Sequence, residues 1–499
     1  MLTEGLWLAI SLKNILIGIM GTAIGIIIGA LPGLGASIAM TLALPLTFGW
    51  PADSAIILLM ALYCGATYGG SISAILINTP GTPASGATTF DGFPMAQQGK
   101  ADIALGLSTM SSFVGGITGA ILLFTVAPMV TRLVLRFGPA EMFLIAIFSL
   151  TIIGALGEDK LLKGLISCGI GLCISFIGVD VMTGYKRFSF GSYYLQDGIN
   201  SVVVMIGVFA IAEMIKLMEK QQKSISEVAN PGTISNVLKG CVKVFKYPIN
   251  LIRSSLIGSI VGALPALGVT TASFLSYMMA VNSSKNPEKF GKGNPEGIIA
   301  PEAANNAVTA TALIPTLTLG IPGSSVMAII LGALTIQGIV PGADIFRVNA
   351  HYTYSVLWAM FFINIYMLII GVLGAGGISH ITIVPSSIIV PSVIVLCFIG
   401  SFALNMLWQD IVCAVIFGFI GYVFKRYDYS ILGLLLGLIL GPIAESSFHQ
   451  SLRISGGSYG IFASSSICKI LIVCIILSIL YPIYKMIRKR QNSSVNSTK

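Results

Sequence analysis

The chain reads as long apolar runs divided by short polar ones. Residues 14–52, 103–131, 254–284, 303–343 and 348–409 contain no Asp, Glu, Lys or Arg. A helix needs about 20 apolar residues to cross a bilayer, and every one of these runs is long enough. Stretches such as Ile121–Ala127 and Ile470–Leu480 lack the apolar–polar alternation of an outer-membrane barrel strand. The pattern predicts an all-α polytopic membrane protein set in a lipid bilayer, with about 10 to 14 membrane segments once spans interrupted by Gly and Pro are allowed for. No soluble domain of any size fits between them.

Composition agrees. Of 499 residues, 55% are hydrophobic and 9% charged, against about 25% charged in a soluble domain. The formal net charge of +9 does not point to nucleic acid, because the basic residues form juxtamembrane clusters and not a stripe interleaved with aromatics. Lys216, Lys220, Lys223, Lys239, Lys243, Lys246 and Arg253 mark the longest polar stretch, and Lys485, Arg488, Lys489 and Arg490 close the chain. The positive-inside rule makes both cytoplasmic. Glu4 and Lys13 leave the N-terminal side unassigned, and the first apolar run, with no convincing cleavage site after it, is expected to be retained as a span.

Catalytic and cofactor patterns are weak. The eight cysteines show no CxxC spacing and mostly sit in apolar runs, which reads as small core residues. His351, His380 and His449 are too scattered for a metal site on helices. No G-x-x-x-x-G-K-[ST] loop occurs, so the chain does not hydrolyse ATP by a P-loop. The Gly456-Gly457-Ser458-Tyr459-Gly460 string has the spacing of a nucleophile elbow but no α/β sheet to build one, and is expected to be a loop. Neither an enzyme nor a bound cofactor is expected, other than a coupling sodium ion or proton.

The most informative feature is an internal repeat. Gly29-Ala30-Leu31-Pro32-Gly33-Leu34-Gly35 returns as Gly262-Ala263-Leu264-Pro265-Ala266-Leu267-Gly268, with six identities in seven at an offset of 233 residues. A second pair follows in the same order, Asn78-Thr79-Pro80-Gly81-Thr82 and then Gly320-Ile321-Pro322-Gly323-Ser324. A weaker third echo is Asp91-Gly92-Phe93-Pro94 against Gln337-Gly338-Ile339-Val340-Pro341. The expected organisation is a first membrane half over residues 1–215, a solvated connector over 216–252 holding Gln221, Gln222, Ser224, Ser226 and Glu227, and a second half over 253–499.

Proline removes a backbone donor and clashes with the preceding turn, and glycine admits non-helical angles, so these motifs break the spans that carry them. A break in hydrocarbon survives only when buried in protein or lining a water-filled cavity. Paired interruptions at corresponding places in two halves point to the binding site of a secondary transporter. Hydroxyls follow the breaks: Thr82, Ser85, Thr88 and Thr89; Thr270, Thr271 and Ser273; Ser324 and Ser325. A half-helix N-terminus carries free N–H groups and about half a positive charge, enough to hold a carboxylate without an arginine. Unwound carbonyls can hold a cation beside it.

Intramembrane polar residues are candidates by default. Asn305, Asn306 and Asn78 are read as ligand or ion contacts, with capping or interhelical hydrogen bonding as the alternative. Glu302 is either a protonatable coupling group or an interface acid. Asp53 is expected to cap a helix, and Asp91, Asp180, Asp410 and Glu445 to be loop or interface residues. The small residues Ser111, Gly115 and Gly119, and again Gly433, Gly437 and Gly441, predict close helix packing. Trp7, Trp50, Tyr193, Tyr194, Tyr427 and Tyr429 read as interfacial anchors.

The motif series from Gly29–Gly35 through Tyr68-Gly69-Gly70-Ser71-Ile72, Asn78-Thr79-Pro80-Gly81-Thr82-Pro83 and Asp91–Pro94 to Ser112-Phe113-Val114-Gly115-Gly116 resembles the large membrane subunit of the tripartite tricarboxylate transporters. Phe290-Gly291-Lys292-Gly293, Pro295-Glu296-Gly297, Pro301–Ala307 and Leu317–Gly323 are similar to that family's second block. The resemblance implies a bacterial inner-membrane secondary transporter that imports carboxylates by alternating access on a sodium or proton gradient. It also implies an extracytoplasmic solute-binding protein and a small membrane subunit as partners, and leaves homo-oligomerisation open. Carried onto this sequence, the substrate site comprises Pro32, Gly33, Gly35, Thr79, Pro80, Gly81, Thr82, Gly268, Thr270, Pro322, Gly323 and Ser324. The cation site comprises Asn78, Asn305, Asn306 and Gly320. Ala266 where Gly33 stands marks a departure between the two copies. The rival readings are the membrane component of an ATP-driven importer, an intramembrane enzyme and a channel.

Overall fold

The computed structural model describes residues 1–155, 161–180, 183–219, 233–265, 267–342, 344–374 and 386–480. Lys220, Gln221, Gln222, Lys223, Ser224, Ser226, Glu227, Ala266, His380, Lys485, Arg488, Lys489 and Arg490 lie outside the described residues.

The protein is an all-α polytopic membrane protein. Among the described residues eight helices are long and apolar enough to span a bilayer, and five shorter apolar helices accompany them. Besides helices, the described residues hold one two-stranded antiparallel hairpin, Gly178–Val179 with Lys186–Arg187. Packing divides the chain into two units, one of Met1–Arg132 with Phe209–Leu407, the other of Leu133–Val208 with Trp408–Lys499. Each sequence half thus gives its N-terminal part to the first unit and its C-terminal part to the second.

The first unit is organised around the Ala52–Ile77 helix, buried along nearly its whole length. A helix that is apolar all round belongs in a core, and this one also buries Thr67, Ser71 and Ser73. Its closest neighbour is the Leu12–Ala30 helix. Side chains at Gly25 and Gly29 would run into the backbone of Leu62 and Ala66, so the two helices touch main chain to main chain. Asp53 does not cap its helix: Pro51 holds the capping position without a side-chain bond, and Asp53, in the first turn, accepts a 2.7 Å hydrogen bond from Asn14 Nδ2. Ser54 Oγ completes that buried knot on Asn14 Oδ1 at 2.7 Å. The small-residue stripe behaves as expected, with Gly115 and Gly119 of the Ala101–Val134 helix lying directly on the carbonyls of Ala303 and Ala307.

The second-half α-helices of this unit are Pro248–Ala263, Gly268–Ser283, Pro295–Thr311, Leu313–Leu319, Ser325–Ile336, Ala350–Gly374 and Ser386–Asn405. Pro295–Thr311 is buried from Gly297 onward although it carries Glu302, Asn305, Asn306 and Thr309. Pro at its first position costs no hydrogen bond, and Asn294 caps it by accepting from Glu296 N.

In the second unit Gly433 and Gly437 of the Ile431–Ile454 helix meet Gly164, Cys168 and Gly171 of the Leu161–Ser175 helix, as their spacing predicts. The acids expected in loops or interfaces are found there: Asp180 accepts from Thr183 in the hairpin loop, Asp410 from Tyr194, and Glu445 pairs with Arg187. Ser458 lies in the turn after the Ile431–Ile454 helix and caps the short Tyr459–Ala463 helix through Gly460 N.

Candidate functional site

Both copies of the first motif end and restart a helix at the same letters. The Leu12–Ala30 helix stops at the motif's Ala and Leu31 turns extended (φ −83°, ψ 116°). The Pro248–Ala263 helix stops at the equivalent Ala and Leu264 does the same (φ −92°, ψ 128°). New helices, Gly35–Ala43 and Gly268–Ser283, then start on the final glycine, at φ 60° and 71°. The helix stops where Pro forbids its neighbour the α region, and in the first copy Gly33 (φ 89°) is non-helical as well.

The second motif repeats just as closely. Asn78 (φ 53°, ψ 25°) ends the Ala52–Ile77 helix in the left-handed region, and Gly320 (φ 70°, ψ 22°) ends the Leu313–Leu319 helix in the same way. Gly adopts that conformation freely and Asn more readily than most residues, so the sequence difference preserves the geometry. Thr82 and Ser324 then turn extended, and each starts the next helical segment, Pro83–Gly86 and Ser325–Ile336. Ser324 Oγ caps the latter by accepting from Met327 N at 3.3 Å. The third echo has no structural counterpart: Asp91–Pro94 is helical, inside Thr89–Met95, whereas Gln337–Pro341 is the turn leaving Ser325–Ile336.

The breaks are packed crosswise. The Pro83–Gly86 turn, after the second break of the first half, rests on the Gly268–Ser283 helix, after the first break of the second half. Gly86 faces Phe274, and the Phe90 ring meets Phe274 and Tyr277 edge-on at 6.1 and 5.3 Å. Reciprocally, the Ser325–Ile336 helix rests on Gly35–Ala43, and Gln337 Nε2 donates to the Thr47 carbonyl at 3.1 Å. Within the first half the two breaks touch, because Gly81 lies on the Gly29 carbonyl and donates its N–H to Gly70 O at 3.2 Å.

Among the residues expected at the substrate site, Gly81, Thr82, Pro322 and Gly323 are buried, Pro32, Gly35, Pro80, Gly268 and Ser324 half-buried, and Gly33, Thr79 and Thr270 exposed. Thr82 Oγ1 pairs with Ser85 Oγ at 3.3 Å, while Thr79 Oγ1 turns back on the Ile77 carbonyl at 3.3 Å. Of the residues expected at the cation site, Asn78 is exposed and Gly320 buried. Asn305 and Asn306 are fully buried and joined, Asn306 Nδ2 donating to Asn305 Oδ1 at 2.7 Å. Asn306 Oδ1 is left without a partner.

Two contacts were not readable in the sequence. Glu302, one turn before Asn306, accepts from Thr88 Oγ1 at 2.5 Å and from Ser112 Oγ at 3.1 Å. Asp91 accepts from the backbone N–H of Gly293 and Asn294 at 3.0 and 2.7 Å and from Tyr277 OH at 3.0 Å. Both join first-half motifs to second-half ones about 200 positions away, beyond the reach of local periodicity.

Residues 15–436 match the family described as "Tripartite tricarboxylate transporter TctA family". The chain is 34% identical, over 96% of both chains, to an Agrobacterium vitis protein described as "Uncharacterized 52.8 kDa protein in TAR-I ttuC' 3'region". It is 36% identical to a second from that organism, "Uncharacterized protein in TAR-II ttuC' 3'region", over 45% of this chain and 94% of the relative. No solved structure matches.

Proposed function

We infer the function of this chain from its family and its breaks: it belongs to the tripartite tricarboxylate transporter TctA family, and it is the large permease subunit of a secondary transporter importing tricarboxylates or related carboxylates. The crosswise packing of the four helix breaks carries this reading. It gathers in one unit the N-termini of Gly35–Ala43, Gly268–Ser283 and Ser325–Ile336. Such N-termini offer N–H donors and a positive dipole end to carboxylates. The left-handed turns at Asn78 and Gly320 each end a helix, and the C-terminal end of a helix suits a cation.

In the mechanism we propose, an extracytoplasmic solute-binding protein delivers the carboxylate, and a small membrane subunit completes the permease in the bacterial inner membrane. A sodium or proton gradient drives accumulation by alternating access. The two sequence halves act as inverted repeats joined by a cytoplasmic connector, with the C-terminus on the same side.

The test is uptake of a radiolabelled carboxylate panel into proteoliposomes holding this chain and its small subunit, with and without the binding protein, under an imposed sodium or proton gradient. Binding-protein-dependent accumulation is expected. Uptake that requires ATP, turnover of the carboxylate without a gradient, or unsaturable flux would each replace this reading.

A further inference from the structure

We propose that Glu302 is the seat of the coupling cation, a proton or a sodium ion held between its carboxyl and the hydroxyls of Thr88 and Ser112. This deepens the transporter reading above and rests on it, and it adds a seat for the cation apart from the helix ends at Asn78 and Gly320.

Glu302 is fully buried in the Pro295–Thr311 helix. Its two oxygens accept one hydroxyl each, from Thr88 and Ser112, and Ser108 faces it from the same Ala101–Val134 helix as Ser112. Ser108 is in turn bonded to Ser71 at 2.6 Å. No ion pair among the described residues includes Glu302. An ionised carboxylate sealed from water with only neutral hydroxyls and an amide for company is very costly. It is either protonated or neutralised by a cation, and hydroxyl and carboxylate oxygens are the ligands a hard monovalent ion takes.

A second observation points to an incomplete shell. Asn305 Nδ2 is turned to the same carboxyl, and Asn306 Oδ1, one turn beyond Glu302, has no hydrogen-bond partner although both residues are fully buried. A tightly packed structural site would have paired that oxygen. Binding a cation and turning the amides is a way to satisfy it.

Of the other titratable groups on the elements packed around this helix, Tyr63 is buried with its hydroxyl unpartnered and the rest have partners of their own. Tyr68 lies nearest and pairs with Thr109 at 2.8 Å, and Cys64 with Thr309 at 3.3 Å. Asp91 and Tyr277 bond each other, and Arg253 bonds Asn250 at 3.0 Å near Glu296. Among these acids and the described residues, Glu302 is the one with neither a cation nor a backbone N–H donor beside it. Thr88 is the lever: it follows the Asn78–Thr82 break by six residues, its N–H donates to Ser85 O at 3.2 Å, and Ser85 Oγ pairs with Thr82 Oγ1 at 3.3 Å, so occupancy at Glu302 is linked to the loop that carries a proposed substrate-site break.

The experiment is thermal unfolding of the purified full-length chain in detergent, which needs no transport and so fails separately from the transporter reading. One arm titrates sodium chloride against choline chloride at fixed pH, and the other titrates pH in choline alone. A ligand that binds only the folded state raises the midpoint with its concentration. The wild type is expected to rise with sodium if sodium is the occupant, or on acidification if the proton is. Glu302→Gln is expected to abolish the responding arm. Ser112→Ala and Thr88→Val are expected to keep the response but raise its half-saturating concentration by about tenfold, and these serve if Glu302→Gln does not fold. A wild type that responds in neither arm overturns the proposal. So does a Glu302→Gln response equal to wild type, or unchanged half-saturation in both hydroxyl variants.

Discussion

Asp91 and Asn294 are 203 positions apart, yet the Asp91 carboxylate accepts the Asn294 backbone N–H at 2.7 Å. With Gly293 N and Tyr277 OH on the same carboxylate, Asp91 holds the entry of the Pro295–Thr311 helix from a first-half motif. The carboxylate is buried and lies beside the positive end of that helix, where a negative charge is stabilising. Asp91→Ala would strand three donors and is expected to lower stability by about 2 to 4 kcal/mol. Asp91→Asn, which keeps one acceptor, should lose less. The unfolding midpoint in detergent checks both, and equal midpoints for Asp91→Ala and wild type would show that the contact contributes nothing.

The left-handed pair Asn78 and Gly320 makes a second prediction, because each stands in the other's geometry. Exchanging them, as Asn78→Gly and Gly320→Asn, should leave the unfolding midpoint close to wild type. Gly320→Ala has room, its nearest neighbour atom being Pro341 Cγ at 3.7 Å. Its cost is therefore conformational strain, about 1 kcal/mol. If Gly320→Asn destabilised as much as Gly320→Ala, the shared turn would not be what the two motifs preserve.

Much of this was legible because it is local. Pro32 and Pro265 mark where helices stop, Gly35 and Gly268 where they restart, and Gly115 and Gly119 which face packs. Each of these follows from backbone sterics within a turn or two of the residue. Asp53 was misread because its partner, Asn14, sits on another helix and takes the carboxylate that a cap would have used. The third echo failed for a related reason. Its Pro94 lies inside a helix while Pro341 ends a turn, and a shared Pro does not by itself fix which. Glu302 was left open because its surroundings come from Thr88 and Ser112, on segments that no spacing rule connects to it.

In the second unit, Arg187 and Glu445 form a two-pronged pair at 2.5 and 3.1 Å that ties the hairpin to the Ile431–Ile454 helix. The pair is partly solvated, with side chains 25% and 20% exposed, so screening limits its worth. Arg187→Gln is expected to cost about 1 kcal/mol, with the deficit shrinking as salt is raised. Measuring the midpoint across a salt series separates this from a packing effect, which salt would leave unchanged.

Gly81 offers the sharpest test of the breaks themselves. A side chain there would run into the Gly29 carbonyl oxygen and come within 2.8 Å of Ser73 Oγ, so even Ala must separate the two first-half breaks. The Gly81 N–H bond to Gly70 O would be disturbed at the same time. The cost falls on the alignment of the proposed substrate site, because the displaced loop runs from Asn78 to Thr88 while the buried helices around it keep their own packing. Gly81→Ala is expected to cut gradient-driven carboxylate uptake by about tenfold or more, since a shift of an ångström or so in a positioned site suffices for that. Protein level and unfolding midpoint should fall much less. Wild-type uptake by this variant would mean that the close approach of the two breaks plays no part in transport.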